Sequence, residues 1–134
     1  MFENLLTRIG IDGVTVDTRL SDASYRVEDD IDGVIEITGG SSTQSVEDIE
    51  LTLYKVISGY RKDSDFDEHQ EVLQTIRLEH TVTIGTDETV EIPFEFSVSG
   101  LTVSDDRHSV RLHTKVFLPN SIDAKDEDDI RITE

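Results

Sequence analysis

The sequence predicts an all-β fold, an antiparallel β-sandwich of the immunoglobulin-like kind, and three observations predict it. Apolar residues recur with a period of two along most of the chain, as strands with one buried face require. Six or seven such runs follow one another at short spacing, separated by turn-rich polar segments, with no interior helical pattern. Val and Ile dominate the apolar set, Thr is common, and there are only two prolines, a composition that suits half-buried strands. A length of 134 residues implies a single domain over residues 1–134. Folding at this length hides roughly two-thirds of the unfolded chain's surface, which is enough for a real core.

Taken in order, Phe2, Leu5, Leu6 and Ile9 are spaced by three and four, as on one face of a short amphipathic helix over residues 1–10. Gly10 and Gly13 would end it, and packing on the domain would support so short a helix. Val14, Val16 and Leu20 open the strands, with Thr15, Asp17 and Arg19 opposite. SDASYRVEDD reads as a turn-rich connection. Ile31, Gly33, Ile35 and Ile37 then alternate with Asp32, Glu36 and Thr38. Gly39-Gly40 reads as a turn that needs positive φ. The next strand falls near 46–58, where Ile49, Leu51 and Leu53 alternate with Glu50, Thr52 and Tyr54. Lys62–Gln70 reads as a charged loop tip. Val72, Ile76, Leu78, Val82 and Ile84 share one parity, interrupted by Gln74 and His80. After a turn at 85–88, Val90, Ile92, Phe94, Phe96 and Val98 alternate with Glu91, Pro93, Glu95 and Ser97. Pro93 has no N–H to give a ladder, so this strand lies at an edge or carries a bulge. Val110, Leu112, Val116 and Leu118 form a further strand, and Ile130 and Ile132 a short last one after the polar run 123–129.

Charge limits the partners. Thirty Asp and Glu against twelve Lys and Arg give a net charge of −18 and a pI near 4.3. Nucleic-acid backbones and anionic membranes would be repelled over most of such a surface. The acids are spread along the chain, Asp outnumbers Glu, and Arg outnumbers Lys, as expected of a protein adapted to a salty cytoplasm where self-repulsion is screened; the alternative is an ordinary acidic soluble protein. The chain has no cysteine, which excludes disulfides, thiolate catalysis and sulfur-ligated metals. MFENLLTRIG lacks both a basic leader and a long apolar run, and no stretch approaches the ~20 apolar residues of a membrane span. The expected location is cytoplasmic, without direct membrane insertion.

No residue stands out as catalytic, cofactor-binding or metal-ligating. Asp126, Glu127, Asp128 and Asp129 are four successive acids, but chain neighbours point apart and cannot converge on one cation. They read as a solvated segment. Glu28, Asp30, Asp32 and Gly33 mimic half of a calcium loop, yet the twelfth position is Gly39 and no helices flank it. His69, His80, His108 and His113 have no metal-ligand spacing, and His80 falls on the apolar parity as a core or boundary residue. No nucleophile elbow frames a Ser-His-Asp set, and Gly39-Gly40 lacks phosphate-loop spacing. Tyr60, Arg61 and Lys62 form a small basic cluster, read as a strand end.

Several segments in order resemble the SpoOM family, the arrestin-like sporulation-control proteins of bacteria and archaea. They are FENLLTRIG, then VTVDTRL, then GVIEITGGSSTQSVEDIELTLY with its Gly-Gly pair and IxLxL strand, then EIPFEFSV, and finally HTKVFLPNSIDAKDEDDIRI. The resemblance covers nearly the whole chain. It implies an arrestin-like β-sandwich similar to an N-terminal arrestin lobe, and a non-enzymatic regulatory role through protein contacts. It brings no catalytic residues and no cofactor. Family members usually continue beyond this lobe, and the segment PNSIDAKDEDDI is more acidic than the family pattern.

The function expected is that of a protein-interaction module working through exposed sheet edges and loops. Its partners are proteins, and edge pairing offers a route to a homodimer. The alternative is a calcium- or carbohydrate-binding sandwich. The absence of Trp and an aromatic content of 6% weigh against the sugar form.

Overall fold

The structure, a computed structural model, describes residues 13–61, 64–79, 81–119 and 123–134. The helix expected over residues 1–10 lies outside them, as does His80. The strands are β1 (Thr15–Leu20), β2 (Ser24–Arg26), β3 (Ile31–Thr38), β4 (Gln44–Val46), β5 (Asp48–Arg61), β6 (Ser64–Leu78), β7 (Val82–Ile84), β8 (Thr89–Phe96), β9 (His108–Phe117) and β10 (Ala124–Thr133). They form a five-stranded sheet in the order β2-β10-β9-β5-β6, a three-stranded sheet in the order β1-β3-β8, and a two-stranded β4-β7 ribbon. Every pairing is antiparallel except β2 with β10, which is parallel and departs from the purely antiparallel expectation.

Alternation decides which side of each strand is buried. Along β3, Ile31, Gly33, Ile35 and Ile37 are buried while their neighbours are half-exposed. On β9, Val110, Leu112, Thr114 and Val116 turn inward. One core cluster draws on both larger sheets, with Val16, Ile35, Ile37 and Phe94 from one and Ile49, Leu51, Leu112 and Ile132 from the other. Each fully buried aliphatic side chain of this kind contributes about 1.5–3 kcal/mol.

Polar ties also join the sheets. The Thr18 N–H, on the side of β1 away from β3, donates to Asp126 Oδ2 at 2.8 Å. Asp126 Oδ1 also accepts from the Glu127 N–H at 3.0 Å, and the Thr18 and Thr114 hydroxyls meet at 2.6 Å. Asp126, Thr18 and Thr114 are all buried. At the other end, the Tyr25 hydroxyl donates to the Asp32 carbonyl at 2.8 Å, and burial pushes its pKa up.

Several sequence expectations need correction. The acidic run is not a solvated connection. It belongs to β10, a ten-residue strand, where Asp126 is buried and Glu127 and Asp129 are exposed. Residues 64–70 are not a loop but the first half of β6. β2 lies inside the expected turn-rich connection. With three residues each, β2, β4 and β7 are too short to show a period. Val72 does not share the parity of Ile76 and Leu78. Gln74 pairs with Leu53 but Val72 pairs with Tyr54, so Leu73 is an extra residue and Val72 turns outward, 60% exposed.

Gly39 also has a different reason from the one expected. The positive-φ glycines among the described residues are Gly13 and Gly100. Gly39 is buried, and a Cβ there would run into the Gly85 carbonyl oxygen. Close backbone approach therefore requires the glycine. Pro93 fulfils one of its two expected roles. The β3–β8 register runs unbroken through Val34↔Pro93, so there is no bulge there and β8 is an edge strand.

Two outcomes follow. Asp126→Ala leaves the Thr18 N–H buried without its acceptor and should cost about 1–3 kcal/mol in urea unfolding. Glu127→Ala on the exposed face should stay within about 0.5 kcal/mol. Gly39→Ala should destabilise by about 1–3 kcal/mol through overpacking. Gly85→Ala, whose added Cβ would meet only the Glu88 side chain, at 3.7 Å or beyond, should cost less in the same assay.

Candidate protein-interaction site

Sheet edges expose unpaired N–H and C=O groups, and folds usually blunt them. Four strand edges bound the two larger sheets here. The β1 edge is closed where Asp126 takes the Thr18 N–H. β2 is three residues long, and the Arg26 N–H is taken by Asp29 Oδ2 at 2.8 Å. On β8, Pro93 cannot donate, and exposed Glu91 and Glu95 flank it. A proline paired in unbroken register with β3 has its ring nitrogen toward the open side, so the missing donor blunts that edge.

β6 differs from the other three. It is fifteen residues long and, among the described residues, pairs only with β5. Among the described residues, the backbone of 68–78 makes no hydrogen bond beyond that pairing. The stretch Val72–Leu78 holds no acid and one base, Arg77, while Glu68 and Glu71 precede it. Leu73, Ile76 and Leu78 are partly buried against the core, and the bulge at Leu73 turns Val72 out. A long edge with free backbone groups and apolar side chains can accept another strand.

The outer faces of the two sheets carry different charge. On the five-stranded sheet, alternation places Arg26, Arg77, Arg111, Lys115, Lys125 and Arg131 outward, against Asp48, Glu50, Glu68, Glu127 and Asp129. Counting Asp123, 3.6 Å from Lys115, six acids meet six bases, so the described part of this face is balanced within a chain of −18. Several of its charges are paired. Arg111 reaches Asp129 at 3.0 Å and Glu68 at 3.2 Å, which holds its pKa above the ordinary value, and Arg77 reaches Asp48 at 3.0 Å. Arg77 and Lys115 both stand over the Phe117 ring, at 5.0 and 4.8 Å from its centroid. On the three-stranded sheet, the outer face carries Asp17, Asp32, Glu36, Glu91 and Glu95 against Arg19 alone, a balance of −4. Asp17, Glu36 and Glu91 lie in one cross-strand row, and Asp32 and Glu95 in another. Such like-charge neighbours destabilise one another, and Arg19 offsets part of this, at 3.4 Å from Asp17 and 3.3 Å from Glu36.

The residues considered for chemistry are scattered. Among the described residues, no group of three or more His, Asp or Glu could hold a metal ion. His69 is exposed on β6 rather than in a loop, and His108 begins β9. The Asp105 carboxylate accepts the Arg107 and His108 N–H groups at 2.7 and 2.8 Å, which pulls its pKa down, and it lies 3.2 Å from His108 Nδ1. This is a turn closing on itself, and no serine hydroxyl bonds to His108 among the described contacts. Tyr60 and Arg61 end β5, while Lys62 falls outside the described residues. An open depression beside Ser104, Asp105, Ser109, Asp129 and Arg131 has no aromatic lining.

His113 sits half-buried on the outer face of β9, edge-on to Tyr54 at 6.5 Å. Burial, first, and then Lys125 and Lys115 hold its pKa below the ordinary 6.5, against the pull of Glu127 and Glu50. A lowered pKa means that the folded state binds fewer protons than the unfolded one. The stability linked to His113 is therefore full above its ordinary value and is lost as pH falls below it. Thermal melts should show the wild type losing more stability than His113→Gln between about pH 7 and about pH 5.

With this geometry established, comparison with known proteins places the chain. A family model described as "SpoOM protein" matches residues 2–134. Among solved structures, the crystal structure of Spo0M, sporulation control protein, from Bacillus subtilis is similar with a TM-score of 0.79 at 22% identity, covering 90% of this chain and 49% of that one. At that identity the likeness shows the fold, and the present chain spans about half the length of that relative. A search of curated protein sequences gives no match. Matched from residue 2 to residue 134, the chain belongs to the SpoOM family.

Proposed function

We propose that this chain is a non-enzymatic regulatory module that associates with proteins through the free edge of β6. One observation carries the reading. Among the described residues, β6 is the long strand whose outward backbone groups are unpaired and whose edge has neither proline nor a capping carboxylate. A strand added there gains main-chain hydrogen bonds, while Val72, Ile76 and Arg77 supply side-chain selectivity.

The regulatory part of the reading draws support from the family and from its Bacillus subtilis relative, a sporulation control protein. Among the described residues, no helix is long and apolar enough to cross a membrane. A cytoplasmic location with high salt fits the excess of acids, because screening then relieves the like-charge rows on the three-stranded sheet. The arrestin-like description of the two facing sheets belongs to the same proposal. No observation favours the calcium- or carbohydrate-binding alternative.

Affinity capture from the native host's extract at native salt, read by mass spectrometry, tests the proposal. A specific set of proteins should be retained by the wild type and by Glu95→Lys on β8. It should fall several-fold with Ile76→Lys, which places a charge on the pairing edge. Retention that ignores Ile76→Lys and falls with Glu95→Lys would move the association to β8.

A further inference from the structure

The layer that faces the five-stranded sheet is one element short. Thr18 bonds to Asp126 on β10 and to Thr114 on β9, which sets β1 over that pair of strands. The registers carry the alignment across both sheets: Thr18, Ile35 and Ile92 form one row, above the row of Asp126, Thr114, Leu51 and Ile76. Strands in a sheet are about 4.8 Å apart, so a layer of three that starts there leaves the inner face of β6 incompletely covered. We propose that residues 1–10 of this chain complete the layer, docking as an amphipathic helix over the inner face of β6 beside β8.

Burial marks the same gap. Val16, Ile35 and Ile37 on β1 and β3 are fully buried, whereas Ile92, Phe94 and Phe96 on β8 keep 7–8% of their surface. Among the described residues, seven partly buried apolar side chains pack on the core, and six of them lie on this side. They are Leu73, Ile76 and Leu78 on β6, Val82 on β7, Val90 on β8 and Val98 just past it. The row that ends in Ile49 and Leu78 faces the row that ends in Ile37 and Val90. Farther along, a Cβ on Gly100 would stand 3.9 Å from Leu73 Cδ2. The six side chains therefore line one apolar seam between β6 and β8.

The sequence before Gly13 has the pattern and the reach to cover that seam. On a helix Phe2, Leu5, Leu6 and Ile9 fall within about 100° of arc, opposite Glu3, Asn4, Thr7 and Arg8. Gly13 lies at the end where β8 begins. A Cβ on Gly13 would stand 3.5 Å from Gly40 Cα, and the neighbouring Gly39 N–H donates to the Glu88 carbonyl at 2.7 Å. From the line of β3 to a position just past β8 is two strand spacings, about 10 Å. The chain from Ile9 to Gly13 spans up to about 13 Å. Helical residues 2–9 are about 12 Å long, against about 17 Å for β6 from Leu73 to Leu78. A helix about 10 Å across also matches the spacing of packed sheets. So short a helix needs such a seat to form at all. The seat uses side chains that point between the sheets. The backbone groups of β6 that face along the sheet stay free, and the docking does not depend on the association edge.

Because the chain has no cysteine, an introduced pair of thiols reports its own proximity. Ile9→Cys with Val90→Cys should oxidise to a disulfide within one chain in dilute protein. Arg8→Cys with Val90→Cys, whose first thiol points away from the seam, should oxidise several-fold more slowly. Leu5→Asp with Leu6→Asp should melt several degrees below the wild type, while Asn4→Asp with Thr7→Asp should melt with it. Both pairs add the same charge, so the difference reports the covered face. Equal oxidation rates from Ile9→Cys and Arg8→Cys, a disulfide that forms only between chains, or equal melting of the two Asp pairs overturns the docking. So does co-sedimentation of the wild type, and not of Leu5→Asp with Leu6→Asp, with vesicles of phosphatidylcholine and phosphatidylglycerol, which would assign the apolar face to a membrane surface.

Discussion

The hydrogen bond from the Thr18 N–H to the buried Asp126 carboxylate organises much of this structure. A carboxylate taken out of water is costly unless its oxygens are satisfied, and here both accept backbone N–H groups. The bond joins the two larger sheets beside the Thr18–Thr114 hydroxyl pair. It also closes the β1 edge. The alternation of β10 follows from the same tie, since an inward Asp126 puts Glu127 outward within one strand. Among the described residues, with β1 tied to a carboxylate at Thr18, β8 interrupted by a proline and β2 three residues long, the longest run of unpaired edge backbone in the two larger sheets lies along β6.

Charge is partitioned in step with the edges. The chain carries −18, yet acids and bases balance on the described outer face that includes β6, where Arg77, Arg111 and Lys115 are held in ion pairs and Arg77 and Lys115 stand over Phe117. The opposite outer face stacks carboxylates in rows across its strands. Salt shortens the range of that repulsion to about 3 Å at 1 M. Acidity therefore weakens the small sheet most at low salt, while it leaves the β6 side open to close approach. In the association proposed, repulsion directs where a partner docks and backbone pairing supplies the adhesion.

Much of the fold is legible in the sequence because burial here follows a period of two. The strands at 31–38 and 89–96 read directly from their Ile, Val and Phe alternation, and Pro93 limited its strand to an edge or a bulge before any neighbour was known. The acidic run at 126–129 did not read as strand. Its charges mask the alternation, and the reason for burying Asp126 lies 108 residues away at Thr18. Val72 was misplaced because a bulge shifts parity without leaving a residue signature. Gly39 was recognised as necessary but for the wrong reason, since close approach to Gly85 is a tertiary fact. The candidate site was legible only as a class, edges and loops. Identifying β6 required the strand order, because an edge is defined by the neighbour it lacks.

Residue-resolved amide hydrogen exchange, compared at native salt between the free protein and the protein bound to its captured partners, decides whether β6 is the association edge. New protection is expected within Val72–Leu78 of β6, with β8 and β2 unchanged. New protection along residues 89–96 of β8 instead, or none along β6, would contradict it.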